Sequence, residues 1–157
     1  MSQDFYLGNP NLKKVGTEIQ FTKEQIQEYL KCKEDPVYFA MNYIKIISLD
    51  EGIVPFKMWD FQEELIESFH EHRFNIAKLP RQTGKSTTCV SYLLHYILFN
   101  DNVNVGILAN KLSTARDLLG RLQLAYEQLP LWIQQGIVVY NKGSMELENG
   151  SKILAAS

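Results

Sequence analysis

The 157-residue sequence predicts an α/β fold with a parallel sheet, flanking helices and a β-hairpin at its C-terminal end. Three observations lead there. The run 74–79 (Phe-Asn-Ile-Ala-Lys-Leu) has strand character, enters the tight loop Pro80-Arg81-Gln82-Thr83-Gly84-Lys85-Ser86, and is followed by a long apolar segment of helical character, 87–99. The β-rich run 103–109 then precedes a helical pattern reaching Pro130, and a strand–helix–strand–helix series requires parallel pairing. Finally, Asn149-Gly150 joins two short runs, 144–148 and 151–155, which signals a hairpin with a type I′ turn.

Composition bounds the rest. A 45% hydrophobic fraction supports a real core, and the length fits one domain or part of one. A net charge of −2 does not announce a polyanion-binding protein, which leaves a local basic patch as the route to nucleic acid. Cys32 and Cys89 lack metal-ligand spacing and read as small apolar residues of a reducing compartment. His70, His72 and His95 are too scattered for a metal site. The N-terminus has no signal-peptide pattern, and the longest apolar run, 92–99, is too short to span a bilayer. A soluble, intracellular protein with no membrane partner is expected.

Taken in order, residues 1–21 read as an irregular arm broken by Gly8, Pro10 and Gly16. Thr22-x-x-Gln25 is a capping-box pattern that opens a helix to about Lys33, with a thin apolar face of Ile26, Tyr29 and Leu30. Asp35-Pro36 starts a second helix carrying Val37, Phe39, Ala40, Tyr43 and Ile44. A short strand, 44–49, closes on the turn Asp50-Glu51-Gly52. A third helix is expected from Pro55 to about His72, with Phe61, Leu65, Ile66 and Phe69 buried. The run 103–109 should be a buried parallel strand, and Ser113 should cap a helix burying Ala115, Leu118, Leu119, Leu122, Tyr126 and Leu129. Residues 137–140 read as a further strand. Asn110 and Lys111 follow at the carboxyl end of a strand, where nucleotide or DNA can be met, although a polar pair there is more often a solvated loop.

The chemistry concentrates in the loop. Strand, tight turn, Gly-Lys-Ser and helix is the layout of a phosphate-binding P-loop, in which backbone N–H groups and a helix N-terminus face a triphosphate. Pro80, Arg81, Gln82, Thr83, Gly84, Lys85, Ser86 and Thr87 are the expected ATP-contacting residues, with Gly84 allowing close backbone approach. Lys85 would reach the β- and γ-phosphates, and Ser86 would ligate Mg²⁺. Arg81 is either an in-loop guanidinium that neutralises charge during phosphoryl transfer or a surface arginine paired with a carboxylate. Upstream, Gln62 has the donor and acceptor that an adenine edge demands, yet from spacing alone it reads as a solvated glutamine. Trp59 reads as a core or domain-edge aromatic ahead of a base-stacking one. A Mg²⁺-side aspartate at the end of an apolar strand, with a neighbouring glutamate, is missing after Lys85.

Several stretches, in order, resemble the large terminase subunit of tailed bacteriophages, particularly the T-even type. They are 35–40 (Asp-Pro-Val-Tyr-Phe-Ala), 43–46 (Tyr-Ile-Lys-Ile), 59–62 (Trp-Asp-Phe-Gln), 79–87, 107–111 (Ile-Leu-Ala-Asn-Lys) and 141–151. Leu79 stands where the usual motif has its first glycine, and an Arg-Gln-x-Gly-Lys-[ST] core without that glycine is typical of the family. The resemblance implies a RecA-like P-loop NTPase sheet, truncated before its Walker-B strand. It implies an ATPase motor that translocates double-stranded DNA into a capsid, in the host cytoplasm and at the portal vertex. ATP, Mg²⁺, a portal protein and a small terminase subunit would be its cofactors and partners. Gln62 would match the adenine-recognising glutamine, with Trp59 beside it; Lys85 and Ser86 would match the phosphate and Mg²⁺ residues, and Arg81 the in-loop arginine. Residues 1–57 would be an arm and helical lid, and 58–157 the ATPase core. The family's acidic strand, coupling motif and metal-dependent nuclease domain are not in this sequence, so a piece of a larger protein that hydrolyses ATP poorly by itself is expected. That piece should leave the P-loop strand unpaired and its apolar face bare. The alternatives are a helicase-like DNA translocase and a non-catalytic partner-binding module.

Overall fold

Local capping chemistry sets the helices. The computed structural model describes residues 5–48 and 50–157; residues 1–4 of the expected arm and Leu49 of the expected strand 44–49 lie outside them. Helix α1 (Lys23–Glu34) begins with the full capping box: Thr22 Oγ1 accepts the Gln25 N–H at 3.2 Å and Gln25 Oε1 accepts the Thr22 N–H at 3.0 Å. Asp35 then caps α2 (Pro36–Tyr43) by accepting the Tyr38 N–H at 2.9 Å. The two helices are clasped by Glu28, which accepts the hydroxyls of Tyr38 at 2.6 Å and Tyr43 at 2.9 Å. Those hydrogen bonds hold its carboxyl below the usual carboxylate range.

Strands β1 (Lys45–Ser48) and β2 (Gly52–Pro55) form a separate antiparallel hairpin. Because β2 occupies 52–55, helix α3 (Asp60–Glu71) starts later than the expected Pro55. Helix α4 (Lys85–Phe99) follows, then β3 (Asn104–Leu108), α5 (Leu112–Glu127), β4 (Ile137–Tyr140), β5 (Ser144–Leu147) and β6 (Lys152–Ala156). Lys111, not Ser113, occupies the N-cap of α5, so the serine sits within the first turn. The main sheet has the order β3-β6-β5-β4, with β3 and β6 parallel and the other pairs antiparallel. The fold is thus mixed α/β, with one parallel pair in place of the expected parallel sheet.

Two expected strands change character for the same reason. Residues 74–79 enter no ladder, and Ile76 is fully exposed. Strand β3 is an edge strand whose only buried residue is Ile107, while Leu108 is 75% exposed. Ala77 and Leu108 both line a groove of about 410 Å³, and no ladder joins their segments. Strand character realises itself only where a partner supplies the N–H and C=O groups, and neither segment has one on that side among the described residues.

The hairpin at 148–150 also differs from expectation. Asn149 keeps a negative φ, and the positive φ falls on Gly150 alone, at 81°. The Gly150 N–H reaches the Leu147 carbonyl at 3.0 Å and the Leu147 N–H reaches the Ser151 carbonyl at 2.9 Å. This is a three-residue loop with its glycine in the left-handed position, not a type I′ turn. Asn149 is freed for another role. Its Nδ2 donates to the carbonyls of Ile97 at 2.9 Å and Asn100 at 3.2 Å, satisfying acceptors that the end of α4 leaves open.

Nor is the arm loose. Its chain bridges to β4 at Lys14–Ile137, the Ile137 N–H donates to the Lys13 carbonyl at 2.8 Å, and Gln134 Nε2 donates to the Asn11 carbonyl at 2.9 Å. Leu12 is buried in the same hydrophobic cluster that holds Phe39, Ile66, Leu94, Leu119 and Met145.

Helix α4 is the axis of that cluster. His95 is buried with its Nε2 donating to the Cys32 carbonyl at 2.8 Å, ringed by Phe39, Tyr92 and Phe99. Its Nδ1 has no partner among the described residues. Burial pulls the imidazole down to about 4 from an ordinary 6.5, and the nearby His70 adds to the effect. Burial likewise pushes the Cys32 thiol up to about 12, in keeping with an inert apolar role.

Two predictions follow from these contacts. The unfolded chain takes up the His95 proton near 6.5 and the folded one near 4, so stability present above pH 6.5 is lost as pH falls toward 4. The loss is expected to be about 3 kcal/mol by urea titration and to shrink in His95→Leu. If Asn149 served the turn, glycine would be welcome there; because its side chain caps α4, Asn149→Gly is expected to destabilise by about 1–2 kcal/mol in the same assay.

Candidate functional site

The loop between 79 and 85 is shaped by alternating backbone handedness. Gln82 has φ 61° and Gly84 has φ 73°, with Thr83 between them. Such alternation gathers successive N–H groups into a concavity suited to an anion. A non-glycine residue held at positive φ is a locally strained conformation, which the surrounding contacts must maintain. Gly84 is the N-cap of α4, and the first helical hydrogen bond runs from the Thr88 N–H to the Gly84 carbonyl at 3.0 Å. The N–H groups before it belong to the unpaired first turn, at the positive end of a 15-residue helix.

Lys85 folds back across the loop. Its Nζ donates to the Pro80 carbonyl at 2.5 Å and lies 3.4 Å from the Leu79 carbonyl. Thr83 Oγ1 donates to the same Pro80 carbonyl at 3.1 Å. Further into the helix, Thr88 and Ser91 are buried and turned onto backbone carbonyls, leaving Ser86 as the hydroxyl beside Lys85 on the open groove. Arg81 and Gln82 are exposed, and Arg81 joins neither ion pair found among the described residues. Among the described residues the surface-pair alternative for Arg81 finds no carboxylate partner.

Gln62 departs from the solvated reading. It is only 4% exposed, with Oε1 accepting the Trp59 N–H at 3.0 Å and Nε2 donating to the Thr83 carbonyl at 3.2 Å. A buried stripe on α3 therefore carries a glutamine beside Ile66. Trp59 departs from the core reading, being 61% exposed with its ring 5.6 Å from that of Phe61. Asn110 and Lys111 lie in an exposed loop.

The structure thus brings Gln62, Pro80, Thr83, Gly84 and Lys85 into one bonded unit, with Ser86 and Thr87 continuing it into α4 and with Trp59 and Arg81 at its exposed margins. The carbonyl acceptors of Leu79, Pro80 and Thr83 were not legible in the sequence, since backbone groups carry no residue signature. Among the described residues no group of three or more His, Cys, Asp or Glu side chains could hold a metal ion. No described helix is long and apolar enough to cross a membrane. No protein-family model matches the chain.

Gly84 is doubly constrained. Besides its φ of 73°, an added Cβ would collide with Gln62 Nε2. Gly84→Ala is therefore expected to destabilise by about 1–3 kcal/mol, read by urea denaturation, and to impair any anion binding at the loop.

Proposed function

We propose that this chain is the ATP-binding part of a DNA-packaging motor of the phage large-terminase kind. What carries the reading is the combination at one helix end of left-handed Gln82 and Gly84 with a lysine whose Nζ already bridges the loop. On this reading the loop N–H groups and the start of α4 would hold the phosphates of MgATP. Lys85, now on the Pro80 carbonyl, would be the cation that holds β- and γ-phosphate oxygens, and Ser86 would be the hydroxyl that holds the metal. Arg81, exposed and unpaired with any acid among the described residues, is available to neutralise charge on the transferring phosphoryl group.

Hydrolysis also needs carboxylates on the Mg²⁺ side. The groove of about 410 Å³ beside Lys85 and Ser86, with Ala77, Cys89, Leu93 and Leu108 on its walls, offers the place for an acid-bearing strand. Binding is then the property of this chain, and hydrolysis, double-stranded DNA translocation and the portal and small-subunit contacts are those of the assembled motor.

Calorimetry with a non-hydrolysable ATP analogue and Mg²⁺ tests the reading. Lys85→Ala should weaken binding roughly tenfold to a hundredfold, the size of a lost charge-assisted contact to phosphate. Arg81→Ala should leave binding within about threefold and lower turnover in the assembled motor by about a thousandfold. Unchanged affinity in Lys85→Ala would sink the proposal.

A further inference from the structure

The assignment of Gln62 as an adenine reader sits awkwardly with its geometry. A glutamine that recognises a base must offer one donor and one acceptor. Here both ends of the amide are spent within the protein, on the Trp59 N–H and the Thr83 carbonyl, and the side chain is 4% exposed. The two partners also fix which end is which, since Oε1 faces a donor and Nε2 faces an acceptor.

The Thr83 carbonyl is a consequential partner. Across a planar trans peptide, the carbonyl of Thr83 and the N–H of Gly84 point in opposite directions. Pulling that carbonyl toward α3 therefore turns the Gly84 N–H away from α3. The same contact anchors the residue after left-handed Gln82, a non-glycine conformation that surrounding contacts must maintain. Gly84 admits the clamp because a Cβ would strike Gln62 Nε2.

We infer that Gln62 is a positioning residue for the phosphate cradle, clamping the Thr83 carbonyl so that the loop is preorganised for a polyphosphate whatever base it carries. This rests on the P-loop reading above and changes what the glutamine contributes to it. Preorganisation lowers the ordering cost of binding, and that gain is shared by every ligand that uses the loop.

The test compares MgATP analogue, MgGTP analogue and inorganic tripolyphosphate with Mg²⁺, each titrated into the full chain and into Gln62→Glu, Gln62→Met and Lys85→Ala. Dissociation constants are referred to the folded fraction, followed by thermal denaturation in parallel. Gln62→Glu keeps the acceptor for Trp59 but sets a carboxylate against the Thr83 carbonyl. It is expected to weaken all three ligands by a similar factor of about ten. As pH falls toward about 5, the new carboxyl regains a proton to donate and the gap to the parent should narrow. A purely structural role would not give that rescue. Gln62→Met, which removes both bonds without adding charge, should show the same base-independent loss if the glutamate variant fails to fold. A loss confined to the adenine nucleotide would overturn the inference and restore base reading, and so would unchanged binding of all three. Lys85→Ala reports separately: if it leaves tripolyphosphate binding intact, or the parent binds none of the three, the P-loop reading falls and takes this inference with it.

Discussion

Helix α4 is held at both ends by side-chain amides that come from elsewhere in the chain. At its N-terminal end Gln62 grips the Thr83 carbonyl, one residue before the N-cap. At its C-terminal end Asn149 donates to the Ile97 and Asn100 carbonyls, and Ser151 Oγ also donates to Asn100, at 2.5 Å. Between these clamps the helix is largely buried, from Thr88 to Phe99, and the remaining helices pack around it. Its unsatisfied termini are the polar groups most costly to bury, so their satisfaction governs where α3, the loop and the β5–β6 hairpin can sit.

The sides of α4 are bonded in a different currency of contact. Phe39 and Tyr29 meet Phe99 edge-on, at ring separations of 5.5 and 5.1 Å, and Phe69 leans on Tyr92 at 5.5 Å. These aromatic contacts tie α1, α2 and α3 to one helix without any regular packing repeat. Residues from 1–57 and residues from 58–157 thus share one buried cluster.

Much of this was legible in the sequence because it depends on near neighbours. Thr22-x-x-Gln25 and Asp35-Pro36 fix helix starts within three residues, and both were realised. The loop lysine and glycine declared themselves by their spacing. What escaped depends on partners distant in the chain. Residues 74–79 and 103–109 have equal strand character, yet only the second found a partner, in β6. Asn149 looked like a turn residue because its local pattern says so, whereas its side chain answers carbonyls about fifty residues earlier. Gln62 looked solvated because nothing in the α3 repeat reveals that a carbonyl 21 residues on would need it.

The link between the end of α4 and the hairpin also has a kinetic side. The Val103 N–H meets Ser151 Oγ across 48 residues, and β3 runs in register with β6 just beyond. Helices and the β5–β6 turn can form from local contacts within microseconds, but parallel pairing must wait for that long segment to close on itself. The entropy of closing it is spent before β3 gains a single ladder bond. Within the main sheet β3 pairs only with β6, so β3 is expected to join that sheet after the β5–β6 hairpin has formed and to leave before it.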